Sequence, residues 1–142
     1  MIRGFDHYAI TVADIETTIK FYRDILGAEI LWEKAWREGK IPVVSMQLGA
    51  NRMNVHAAAA PAAPHAKSPT TGSADLCFRW DGTIAQAQQL LNSHHIAIEE
   101  GPAPRPAADG KWGQSVYFRD PDGNLLELLS TVEPASWGAP LI

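Results

Sequence analysis

Residues 6–30, DHYAITVADIETTIKFYRDILGAEI, carry a strand, a helix and the start of a second strand in one stretch. His7, Ala9 and Thr11 alternate with Tyr8, Ile10 and Val12, the period of two that puts one apolar face on a strand. Asp14 then stands where an N-cap belongs, and Ile15, Ile19, Tyr22 and Leu26 recur at helical spacing. Gly27 supplies the stop. Three strand-like runs complete this half: AEILWEKAW (28–36), PVVSMQL (42–48) and RMNVHA (52–57). The last two are joined by the turn residues Gly49, Ala50 and Asn51.

The same order returns after residue 72. ADLCFRW (74–80) is strand-like, Asp81-Gly82-Thr83 opens a helix over IAQAQQLLNSHH (84–95), and IAIEEGP (96–102) reads as a strand stopped by Gly101-Pro102. PAPRPAADGKWG (102–113) reads as a long Pro/Gly loop. QSVYFRD (114–120) and NLLELLS (124–130) follow as strands joined by Pro121-Asp122-Gly123. Laid over each other, the halves bring His7 onto Asp75 and Ile30 onto Ile98 at one offset, and His56 onto Glu127 three loop residues later. The expected fold is therefore α+β, two βαβββ modules over residues 4–57 and 73–131 forming a curled mixed-sheet cavity. An irregular Ala/Pro crossing segment, 58–72, links them in one domain spanning 1–142.

Composition narrows the function. A net charge of −4 offers no basic field for nucleic acid or an anionic membrane surface. No apolar run approaches the length of a membrane span, and the first residues lack the pattern of a signal peptide. The single cysteine, Cys77, forms no internal disulfide and is expected to be a small buried hydrophobe in a reduced, cytoplasmic setting. A small molecule is the expected partner.

The first and last strands of each half carry ligand-type side chains at matching places: His7 and His56, then Asp75 and Glu127. Alternation puts His56 on one face with Asn54 and Arg52, Glu127 with Leu125 and Leu129, and Asp75 with Cys77 and Arg79. Two curled sheets related by a pseudo-twofold are expected to turn these faces, with their two imidazoles and two carboxylates, toward one cavity. That set suits Zn, Ni, Mn or Fe as a divalent ion without choosing among them. The ordinary alternatives are a hydrogen-bonded structural histidine and a solvent-facing glutamate, although a carboxylate inside LLELL is costly to bury unless it is paired or coordinated.

FDHYAITVADIETTIKFYRDILGAEI (5–30) and YFRDPDGNLLEL (117–128) resemble the vicinal oxygen chelate superfamily of glyoxalases, extradiol dioxygenases, fosfomycin-resistance enzymes and bleomycin-binding proteins. NRMNVH, SPTTGSADLCF and IEEGPAPR look like the branch of glyoxalase domain-containing protein 5. The resemblance implies paired βαβββ modules around a metal. It places the first-strand histidine at His7, the carboxylate after DPDGN at Glu127, and the last-strand ligand of the first module at His56. Asp75 stands where the family usually has histidine. Tyr117 matches an active-site tyrosine of the ring-cleaving dioxygenases, a position that packing also explains.

The resemblance implies a glyoxalase-type lyase or isomerase, in which metal chelation of vicinal oxygens is joined to proton transfer by a carboxylate such as Glu127. The alternatives are an Fe(II) extradiol dioxygenase and a metal-free, bleomycin-resistance-like drug binder. A homodimer is expected from the family, with the apolar tail PASWGAPLI (134–142) a candidate contact. His94 and His95 are expected at the end of the second helix, and His65 is expected to be exposed on the crossing segment.

Overall fold

The computed structural model describes residues 1–133; the tail at 134–142 lies outside them. The chain forms two units, Met1–Ala74 with Pro121–Gly123, and Asp75–Asp120 with the residues from Asn124 onward. In the first unit β1 (His7–Val12) leads to α1 (Ile15–Asp24), β2 (Glu29–Leu31), α2 (Glu33–Arg37), β3 (Val44–Leu48) and β4 (Asn51–Ala57). In the second, β5 (Asp75–Arg79) leads to α3 (Ile84–Ser93), β6 (Glu100–Pro106), β7 (Trp112–Arg119) and β8 (Leu125–Ser130). Each unit holds one four-stranded mixed sheet, ordered β1-β4-β3-β2 and β5-β8-β7-β6. In each the first strand lies parallel to the last and the remaining pairs are antiparallel. The duplication read from the sequence is therefore a duplication of topology.

Each sheet buries one face under a helix. In the first unit Ile10, Val12, Val44, Met46, Met53 and Val55 pack with Ile19 and Tyr22 of α1, all nearly or fully buried. The buried stripe of α1 also takes in Thr18 and Phe21, while Ile15 and Leu26 are only half-buried. Asp14 caps α1 by accepting from the Glu16 and Thr17 amides. In the second unit Ile84, Ala87 and Leu91 of α3 are buried, as are Val116, Phe118, Leu126 and Leu128. Thr83 caps α3 through a reciprocal box with Gln86.

Three stretches differ from the sequence reading. IAIEEGP is not a strand ending at Gly101-Pro102: its first four residues form no strand, and β6 begins at Glu100 and runs on through Pro106. AEILWEKAW does not continue as a strand: Trp32 turns into the left-handed region at φ 54°, and Glu33–Arg37 becomes helix. Glu, Lys, Ala and Arg favour helix, and Arg37 pairs with Glu33 one turn back and with Glu16 on α1. The supposed loop at 102–113 is mostly strand. β6 runs through three prolines at the edge of its sheet, with a register shift between Glu100 and Ala103. The Ala107 amide donates to the Lys111 carbonyl (2.8 Å). Alternation from that bond sends the nitrogens of Pro104 and Pro106 away from β7, where no ladder bond is needed. Gly101 lies so close to β7 that an added Cβ would stand 2.3 Å from the Ser115 carbonyl oxygen.

The DPDGN turn is held by buried polar groups. Asp120 accepts from the Asn124 amide (2.9 Å) and from its side-chain nitrogen (2.7 Å), both residues being buried. Asp122 accepts from the Ala13 amide at 2.8 Å. Residues 58–74 form no helix or strand, as read from the crossing segment. Among the described residues no helix is long and apolar enough to cross a membrane.

Candidate functional site

The sheet faces opposite the helices carry the candidate residues. In the first unit His7, Ala9 and Thr11 of β1 lie beside Arg52, Asn54 and His56 of β4. All of these but Arg52 wall a cavity of about 380 Å³ that the crossing segment also lines with Pro64, His65, Ala66 and Pro69. His7 donates Nδ1–H to the Asp6 carboxylate at 2.7 Å, and that bond, in turn, holds the Asp6 carboxyl below its ordinary value. In a neutral ring that donates Nδ1–H in this way, Nε2 is the lone-pair nitrogen, the tautomer a metal-ligating imidazole needs. His56 presents a buried Nδ1 that has no hydrogen-bond partner among the described residues. His65 is exposed, as expected, and reaches the same cavity with its Nδ1–H on the Ala66 carbonyl (2.8 Å).

In the second unit Glu127 is 9% exposed on the face away from α3. Cross-strand pairing sets Cys77 of β5 on one side of it and Tyr117 of β7 on the other. All three line a cavity of about 340 Å³ with Arg79 and Arg105. Cys77 is exposed rather than buried, a correction to the sequence reading: it lies on the face of β5 that borders this cavity, opposite the face packed under α3. Crowding around its sulfur and the Glu127 charge push the thiol up to about 12, so it stays protonated. Burial raises the Tyr117 phenol, with Glu127 adding and Arg105 opposing. Tyr117 therefore belongs to the polar face and not to the core.

The donors fit a divalent ion in kind: a tautomer-locked imidazole, an imidazole with an orphaned nitrogen, and a largely buried carboxylate. Among the described residues, however, no three His, Cys, Asp or Glu side chains gather into a metal-holding group. The candidates fall two to each unit, His7 with His56 and Asp75 with Glu127. The repeat also has a different register from the sequence overlay. His7 pairs with Arg52, and its counterpart Asp75 pairs with Leu125. The first-unit equivalent of Glu127 is therefore Asn54, which accepts from the buried Ser45 hydroxyl at 2.6 Å. His56 stands two residues further along, because a one-sided overlay cannot see where the ladder pairs.

Other residues fall into plainer roles. His94 and His95 bond the carbonyls of Leu90, Leu91 and Asn92 through their backbone amides at the end of α3. Arg52 lies over the exposed Trp32 ring, and Arg119 forks onto Glu99. Arg79 meets Asp109 and Thr131. The residue the sequence reading missed is Arg105, whose Nε donates to the Tyr117 hydroxyl at 2.8 Å. It was hidden inside the supposed Pro/Gly loop, and the Pro-Arg-Pro alternation was its only signal.

The family model described as Glyoxalase/Bleomycin resistance protein/Dioxygenase superfamily matches residues 4–128. The chain belongs to this superfamily. Among superfamily relatives it is 40% identical to virulence protein STM3117 of Salmonella typhimurium, over 90% of this chain and 84% of that protein. The crystal structure of STM3117 superposes with a TM-score of 0.82 over 93% of this chain and 99% of the other. Glyoxalase domain-containing protein RDO1 of Mycosarcoma maydis is 38% identical, over 91% of this chain and 69% of that one. A metallothiol transferase, FosB, of Staphylococcus haemolyticus is 31% identical, over 90% and 84% of the two chains. Superfamily membership agrees with the two α+β sheets and with the resemblance read from DPDGN.

Proposed function

We propose that the chain is a divalent-metal-dependent enzyme of the glyoxalase type, a lyase or isomerase acting on a small oxygenated substrate. The observation that carries this reading is Glu127, a carboxylate nine-tenths buried at the wall of a polar cavity. Burying such a charge is costly unless a cation or a reacting proton offsets it. The relative named as a metallothiol transferase supports metal use in this branch of the superfamily. The candidate donors of this proposal are His7 and His56 in the first unit and Asp75 and Glu127 in the second. A divalent ion held by such donors would supply Lewis-acid stabilisation of negative charge on substrate oxygens.

The chain's own residues supply the rest. Glu127 takes a proton from one carbon and returns it to its neighbour, as a general base positioned by β8. Tyr117, opposite it, offers a phenol to a substrate oxygen. Asp6 keeps the His7 imidazole in one tautomer.

The deciding experiment measures metal content by plasma mass spectrometry on untagged protein, beside turnover of the hemithioacetal of methylglyoxal and glutathione. About one divalent ion per chain and turnover abolished in Glu127→Gln support the reading. A Glu127→Gln variant with full metal and full activity overturns it. Oxygen uptake with a catechol under reduced iron points instead to the dioxygenase alternative. Binding of an aromatic drug by metal-free protein points to the sequestering one.

A further inference from the structure

β6 carries an arginine between two prolines, and its side chain donates three hydrogen bonds. Arg105 donates Nε–H to the Tyr117 hydroxyl at 2.8 Å, Nη1–H to the Pro104 carbonyl at 2.9 Å and Nη2–H to Glu100 at 2.7 Å. Its guanidinium carbon lies 5.3 Å from the centre of the Tyr117 ring. Pro104 fixes the backbone before it, and Pro106 restricts Arg105 itself to extended geometry. The close approach of Gly101 to β7 draws the start of the strand inward. The edge strand is thus stiffened at the residue whose side chain holds Tyr117.

A guanidinium has donors only. The phenol oxygen of Tyr117 therefore accepts from Arg105, and its own hydrogen is left for a second acceptor. The Glu127 carboxylate lies directly opposite Tyr117 in the β7–β8 register, and both residues border the same cavity. We propose that Arg105 is a positioning residue: by donating to one lone pair of the phenol oxygen it orients the Tyr117 O–H as a donor toward the Glu127 side of the cavity. The group received there is a substrate oxygen that gains negative charge, a carbonyl or hydroxyl oxygen of a small polar molecule. Glu100 anchors the guanidinium from the far side. No bond is made or broken by Arg105; it fixes direction. This inference rests on the enzymatic reading for its effect on rate, but its structural half is independent of it.

The test incorporates 3-fluorotyrosine into the full chain and follows the ¹⁹F signals, the Tyr117 signal being assigned by its loss in Tyr117→Phe. Arg105→Met is expected to move and broaden that signal while circular dichroism and metal content stay at wild-type values. Arg105→Lys is expected to restore it in part. On the hemithioacetal, Arg105→Met is expected to lower kcat roughly ten- to a hundredfold with KM little changed. In the Tyr117→Phe background the same substitution is expected to cost nothing further. An unchanged fluorine signal in Arg105→Met overturns the proposal, and so does an Arg105 effect on kcat that survives in Tyr117→Phe. A shifted signal in a chain with no turnover and no metal keeps Arg105 as the group that orients Tyr117 while the enzymatic reading fails.

Discussion

Glu127 was visible in the sequence as an oddity, one charge inside LLELL, and the structure gives it a cavity. Replacement by Gln keeps the volume and removes the charge, so Glu127→Gln is expected to bind less than a tenth of the wild-type metal and to lose turnover. Mass spectrometry of the purified variants reads the first outcome. His7→Ala is expected to match it, because Asp6 has already committed the His7 ring to one tautomer. His56→Ala and Asp75→Ala are expected to weaken metal binding by only about ten- to a hundredfold, the range of a supporting contact. Isothermal titration with Zn²⁺ separates the two classes. The residue types at these places were legible because alternation assigns each side chain a face. Their partners were not, because Asn54 and His56 share a face and only the β1–β4 ladder decides which of them answers to Glu127.

Elements were read well where local chemistry is explicit and badly where pairing decides. Asp14 and Thr83 announce both long helices, and each caps as its residue type dictates. Thr83→Ala removes one arm of a capping box and is expected to cost about 1 kcal/mol, read as a lower midpoint in urea with an unchanged slope. α2 was missed because Trp32, Ala35 and Trp36 extend the apolar residues of Ile30 and Leu31, a composition that also suits a strand. The turn at Trp32 comes from a left-handed backbone that no motif declares. β6 was missed because prolines argue against a strand in general; they are admitted here since β6 has a neighbour on one side only.

At the scale of the whole molecule, the repeated order of strands follows from hydrophobic patterning, while the DPDGN turn rests on a buried polar pair, Asp120 and Asn124. Asp120→Ala removes both acceptors that the carboxylate offers to the Asn124 amide and side chain in a buried turn, an expected loss of about 2–3 kcal/mol measurable by denaturant unfolding. Acid acts on the rim. Arg37 holds Glu33 below its ordinary carboxylate value of 4.5, and Arg119 does the same for Glu99. Their folded-state values are depressed, so the stabilisation is present above 4.5 and is lost as pH falls through the lower folded values. A thermal-melt series is expected to show a declining midpoint below about pH 4.5, blunted in high salt because both pairs are exposed.

The prolines of β6 also bear on self-association. A sheet edge normally offers amide hydrogens to any extended strand that arrives, including one from an identical molecule. Pro104 and Pro106 present ring carbons there, so that border cannot seed a continuous intermolecular sheet. Stacking of copies along this edge into fibrils is accordingly disfavoured, and a dimer that adds strands to an existing ladder must do so at another margin.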